Sequence, residues 1–206
     1  MEHASLAIPA GDPARPRLLV SMRVDEDARV DDRMAIEVAT AIRDIWKPYV
    51  DVLVGKSGDV HRTIEVDELQ VVITGRTLAR GREEGLGWIE FVDNRPLRTI
   101  TVSAGAAARL MAASEWRGKP LTALPPSAQR QFMVNALSRS VAHEMGHYLL
   151  RSKEHRARGL MRDHLTANDI MERRGALYLL EPDQTAVLWQ TVTQLARDSS
   201  GLPASD

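Results

Sequence analysis

This chain predicts an α+β fold, a single mixed β-sheet followed by a long helix and a C-terminal helix, on three observations. Short apolar or alternating runs, the mark of strands, crowd residues 17–103, with one helical pattern among them. Beyond residue 104 the apolar residues recur mostly at helical spacing. The length of 206 residues with 44% hydrophobic content suffices for one well-buried domain and is short for two.

Residues 1–16, rich in Ala and Pro, read as a disordered tail without the apolar stretch of a signal peptide. Residues 17–24 carry Leu18, Val20, Met22 and Val24 at alternate positions, which predicts a strand. Asp31 is placed to cap a helix whose apolar set is Met34, Ala35, Val38, Ala41, Ile42 and Ile45, and Pro48 ends it. Residues 50–54 read as a buried strand, 55–63 as a loop, and 69–74 as a second apolar run of strand type. The Gly- and Arg-rich segment 75–87 reads as a surface segment and lacks a phosphate-binding pattern.

Strands at 88–92 and 99–103 flank a turn at 93–96, with Trp88 and Phe91 as core aromatics. A short helix from 104 to 113 and a Pro-rich crossing at 120–126 lead to the long helix, for which Ser127 is the expected cap. A short helix over 166–173 follows. Pro182 then opens an amphipathic helix through Leu195, whose core face is Val187, Leu188, Thr191, Val192 and Leu195. Residues 198–206 read as a second tail, which leaves 17–197 as the domain.

With 27 basic and 28 acidic residues, the net charge of −1 gives no electrostatic reason to expect nucleic acid or an anionic membrane as a partner. Aromatics at 4% argue against a base-stacking platform. No apolar run approaches the roughly 20 residues that span a bilayer. The absence of cysteine excludes a disulfide framework and is compatible with a cytoplasmic location, which is the expectation.

The chemistry concentrates in His143-Glu144-Met145-Gly146-His147, an H-E-x-x-H sequence inside the long helix. Residues i and i+4 share a helix face, so the two imidazoles aim at a common centre. Zinc prefers imidazole nitrogen in tetrahedral geometry, and a catalytic site keeps one position for water. Glu144 follows about 100° round the helix. It can reach a water whose pKa the metal lowers to about 7, and take its proton as it attacks a carbonyl. That is the chemistry of amide hydrolysis. A surface helix with two solvated histidines fits less well. Val134, Leu137, Val141, Met145, Tyr148 and Leu149 fall opposite His143, while the small Ala136 and Ser140 lie on its side and leave room for a metal and a substrate.

A catalytic zinc needs a third protein ligand. His155 is the first candidate. On a continuous helix it would rise roughly 18 Å above His143, so the helix must end near residues 150–152 and the chain must fold back. Glu154, Asp163, His164 and Glu172 compete for the position, and Glu172 would make the site resemble the thermolysin-like class. With Gly159-Leu160-Met161 downstream, the stretch resembles the metzincin zinc peptidases, whose pattern is H-E-x-x-H-x-x-G-x-x-H followed by a methionine-containing turn.

That resemblance implies His143, His147 and His155 as zinc ligands, Glu144 as the general base, and Met161 packed beneath the metal without binding it. It also implies a zinc-binding helix below the sheet and an edge strand, here 88–92, that holds an extended peptide by strand addition. The chain departs from the pattern at Leu150, which stands where a glycine usually ends the helix, and in a later third histidine. The extra length is expected to allow a wider turn without positive φ. Residues 142–150 also resemble the ImmA/IrrE-type zinc peptidases.

The reading is a zinc-dependent endopeptidase with Zn2+ as cofactor and a peptide or protein as substrate. The alternatives are an ImmA/IrrE-type regulatory peptidase and a zinc-stabilised binding protein without turnover. For an oxyanion stabiliser, nothing in the spacing selects between Tyr178 and His164.

Overall fold

A computed structural model of the chain describes residues 17–56, 68–77, 85–172 and 178–200. The tail at 1–16, most of the segments expected as loops at 55–63 and 75–87, and residues 201–206 lie outside the described residues. A five-stranded mixed sheet is built from β1 (Arg17–Val24), β2 (Asp51–Lys56), β3 (Glu68–Thr74), β4 (Gly87–Val92) and β5 (Arg95–Ser103), in the order β2-β1-β3-β5-β4. The β2-β1, β1-β3 and β3-β5 pairs are parallel; β4 runs antiparallel to β5 and forms an edge. The α+β class with one mixed sheet is therefore what the chain adopts.

The sheet's interior follows from its β-branched content. Val20, Ile73, Ile100 and Val102 are wholly buried, and Ser21 on the opposite face of β1 is buried as well. Burial on both faces is the usual state of parallel strands covered by helices. One cover is α1 (Asp32–Trp46), entered through Asp31, whose carboxylate accepts the Met34 N–H at 2.6 Å. Its inward set is Ala35, Val38, Ile42 and Trp46.

The β4-β5 hairpin turns on Asp93 and Asn94, with φ of 49° and 58°. Two consecutive positive φ values define the tight turn that matches strand twist. The turn is thus shorter than the sequence suggests, and β5 starts at Arg95 rather than Thr99. Ser103 caps α2 (Ala104–Ala112) by accepting the Ala106 N–H at 2.9 Å.

The long helix α3 (Pro126–Leu150) begins with Pro126 in its first turn, and Ser127 does not cap it. Proline's fixed φ suits that position, where its missing N–H costs nothing. From Ala136 to Leu150 every residue is buried, so α3 runs through the body of the domain instead of lying on its surface. It packs against α1, α2, β4, β5, α4 (Ala167–Met171) and α5 (Pro182–Ser200). Arg139 ties it to α4: one Nη donates to the Asp169 carbonyl at 2.5 Å, the other to the Glu172 carbonyl at 2.8 Å, and the guanidinium lies over the Tyr178 ring.

The last helix, α5, extends to Ser200, beyond the expected end at Leu195. Its inward residues are Gln184, Leu188 and Val192, at four-residue steps, whereas Val187 faces outward at 43% exposure. Among the described residues no helix is long and apolar enough to cross a membrane.

Candidate metal centre

The site grows out of the end of α3. Arg151 adopts the left-handed conformation, φ 49°, and the chain reverses there. The Ser152 N–H returns to the His147 carbonyl at 3.3 Å and the Arg151 N–H to the Tyr148 carbonyl at 3.4 Å. This is the pairing that closes a helix by a left-handed residue. The expectation of a wider turn without positive φ is therefore wrong. The extra residues do not spare the strain; they move it one place on, from Leu150 to a non-glycine residue.

The reversal brings His155 back over the last turns. His147 Nε2 lies 3.1 Å from His143 Nε2 and 3.2 Å from His155 Nε2. The rings of His143 and His155 stack at an interplanar angle of 20°, and His147 stands edge-on to both. Nitrogens at about 2.0–2.1 Å from a tetrahedral zinc would sit about 3.3–3.4 Å apart. The donor set and its spacing fit that ion.

The remaining ring nitrogens are already engaged. His143 Nδ1 is 2.9 Å from the Leu160 carbonyl and His147 Nδ1 is 2.7 Å from the Ser152 carbonyl. A carbonyl can only accept, so each Nδ1 carries the proton and each Nε2 presents a lone pair to the common centre. Burial, then the neighbouring His147, pushes His143 down to about 4, and burial lowers His147 too. Both rings are thus neutral near pH 7, the form that binds metals.

Met161 is wholly buried and its thioether lies against Gly146, where a Cβ would overlap the sulfur. Gly159, at φ 75°, allows the turn that delivers Met161, and a Cβ there would collide with the Leu179 carbonyl. The Leu160 N–H donates to that same carbonyl at 3.0 Å.

Glu144 is 8% exposed and lines the cleft with His143, His147 and His155. Burial pushes its carboxyl up to about 7, against the opposing effect of the Ile89 N–H, which donates to it from β4. The cleft, about 1230 Å³, runs between β4, α2 and the chain beyond α3. Trp88 and Phe91 line it, each half-buried, and Lys153 Nζ sits 5.0 Å from the Phe91 ring centre. Phe91 packs against the core as its sequence context suggested and also lines the cleft, whereas Trp88 is a cleft residue.

Among the described residues, His143, His147 and His155 are the group that could hold a metal ion. The competitors Glu154, Asp163, His164 and Glu172 are not part of that group, although Asp163 and His164 also line the cleft. The Glu172 carbonyl is held by Arg139 and its side chain does not line the cleft; Asp163 faces His155 Nδ1 at 3.4 Å, on the side away from the trio. His164 lines the cleft beside Asp163, whereas the Tyr178 hydroxyl donates to the Asp169 carbonyl at 2.8 Å, away from the cleft. Sequence reading gave Gly146 no role and weighed Asp163 only as a rival ligand, not as a neighbour of His155. A glycine inside a helix costs about 1 kcal/mol against alanine, and that cost is a signal of a close contact.

The fold and this cluster together define an α+β domain with a three-histidine centre under an edge strand. Two solved structures share the fold. An archaemetzincin from Methanopyrus kandleri superposes with a TM-score of 0.53 at 16% identity, over 88% of this chain and 98% of that one. A zinc-dependent peptidase from Methanocorpusculum labreanum gives 0.50 at 13% identity, over 84% of this chain and 98% of its own. No protein-family model matches the chain, and no curated protein does.

Proposed function

We propose that this chain is a zinc-dependent endopeptidase of metzincin type, with His143, His147 and His155 as ligands and Glu144 as general base. One observation carries the reading: three Nε2 lone pairs converge within 4.8 Å of one another, with a buried carboxylate beside them at the floor of a cleft. Lone pairs at that spacing repel one another, and a bound cation would offset the repulsion. Zinc held there supplies a Lewis acid that polarises the scissile carbonyl and acidifies an attacking water.

Glu144 takes the proton of that water on a carboxylate oxygen and returns it to the leaving amine. Its carboxyl, raised to about 7 by burial, is poised for both directions of transfer near neutral pH, and a dication nearby favours the ionised form. The Ile89 N–H holds the carboxylate by a hydrogen bond from β4. As an edge of the sheet among the described residues, β4 would offer main-chain groups for an extended peptide, with Trp88 and Phe91 as contacts for side chains. The cleft exceeds the roughly 300–1,000 Å³ of small-molecule sites, which suits a length of polypeptide. Met161 supports the trio through Gly146, in the manner of a methionine turn, and donates nothing to the metal, for which a thioether is a poor ligand.

The archaemetzincin and peptidase folds point the same way. The test is to purify the chain, count bound zinc, and incubate it with a mixed peptide library with and without chelator. About one zinc per chain and chelator-sensitive cleavage at internal bonds are expected. Cleavage without metal, or zinc without any cleavage, overturns the peptidase reading.

A further inference from the structure

The three histidines are not held alike. His143 and His147 are buried on α3, each with Nδ1 on a main-chain carbonyl. His155 lies past the helix end, its side chain 39% exposed, and its Nδ1 faces the Asp163 carboxylate at 3.4 Å. The backbone frames this pair. The Arg156 N–H donates to the Met161 carbonyl at 2.8 Å, and Arg156 and Arg162 form a parallel bridge, with His155 one residue before it and Asp163 one residue after. The other Asp163 oxygen lies 3.2 Å from His164 Nε2, which restrains the carboxylate from its far side.

We propose that Asp163 is a positioning residue for His155, an inference that rests on reading the trio as a zinc site. Burial and a rigid helix orient the other two rings. His155 has neither, and a carboxylate at Nδ1 supplies the missing orientation. It favours the tautomer with the proton on Nδ1, turns the Nε2 lone pair toward His147, and makes the ring a better donor. At 3.4 Å the contact is an ion-pair separation and not a close hydrogen bond. Its contribution is therefore charge and direction more than bond strength. The direct contact of Asp163 with the trio is the one to His155, and its charge is also felt more weakly at His143.

The test compares the full chain with Asp163→Ala, Asp163→Asn and Asp163→Glu. Zinc affinity is measured by competition with a chromogenic chelator, the geometry by the visible absorption of the Co(II)-loaded protein, and the fold by thermal unfolding without metal. Asp163→Ala should weaken zinc by about 10–100-fold and shift the Co(II) bands, with unchanged metal-free unfolding. Asn keeps an acceptor without the charge and should fall between, while Glu should regain most of the affinity. Wild-type affinity and an unchanged Co(II) spectrum in Asp163→Ala overturn the inference. So does a loss of affinity that only follows a loss of metal-free stability. His143→Ala is the control: if it too leaves zinc binding intact, the zinc-site reading itself fails.

Discussion

Gly146 faces the Met161 thioether so closely that any side chain at position 146 would occupy the space of the sulfur. The one helical position between Glu144 and His147 that lacks a side chain is thus the one that lets Met161 pack against α3. Gly146→Ala is expected to destabilise the protein by about 1–2 kcal/mol, the usual cost of overpacking. In a Met161→Ala background the same change should stabilise by about 1 kcal/mol, since only helix propensity remains. Urea unfolding of the four proteins measures the cycle. A cost that persists without the thioether would locate the strain elsewhere. Met161→Leu should retain zinc, at less than roughly 1.5 kcal/mol.

Glu144→Gln is expected to keep near-stoichiometric zinc and the fold but lose about 10²–10⁴-fold in hydrolysis, roughly 3–5 kcal/mol of barrier. The amide cannot accept the proton of the water. Steady-state cleavage of a peptide found in the library screen is the measurement, with zinc content as the control. Undiminished turnover by the Gln variant would refute the assignment.

His155→Ala should lower zinc affinity sharply, because it removes one of three converging nitrogens. His164→Ala should leave that affinity within a few-fold of wild type, because its imidazole reaches Asp163 and not the trio. Chelator competition on both variants decides between them. The opposite ranking would make His164 the third ligand.

Arg151 carries a left-handed φ of 49° at the helix end, a conformation that costs an L-residue roughly 1–2 kcal/mol. Arg151→Gly relieves that cost but adds backbone entropy to the unfolded chain, so a net gain of about 0.5–1 kcal/mol is expected. Arg151→Val should do the reverse, and thermal unfolding reads both. Equal melting of the Gly and Val variants would show that the turn relaxes in solution.

Asp31 caps α1 and accepts both terminal nitrogens of Arg130 on α3 at 3.0 Å. The Arg130 guanidinium, with the Met34 N–H, holds its carboxyl near 2, below the ordinary 3.8. A depressed acid contributes stability above its unfolded pKa and loses it as pH falls through the folded one. Wild type should therefore exceed Asp31→Asn in urea midpoint at pH 5–7, and the gap should shrink from about pH 4 toward pH 2. Asp31 is solvent-exposed and Arg130 half-buried, so the gap is expected to be modest and to narrow in high salt. A gap independent of pH would trace it to the cap geometry alone.

Local periodicity determined much of this protein. The strands near residues 17–24 and 69–74, α1 with its Asp31 cap, and the paired faces of His143 and His147 are encoded within a few residues of themselves, by steps of 2.0 and 3.6. Tertiary structure decided the rest. The strand order β2-β1-β3-β5-β4 makes β4 an edge beside the cleft, and that order exposes Trp88 and one side of the core-packed Phe91 to the cleft. The left-handed turn at Arg151 returns His155 to the trio, and the turn at Gly159 sets Met161 against Gly146 and Asp163 against His155. The Tyr49 hydroxyl accepts the Leu180 N–H, 131 residues away. Such contacts depend on how segments distant in sequence close on one another, and neither hydrophobic period nor cap chemistry carries that information.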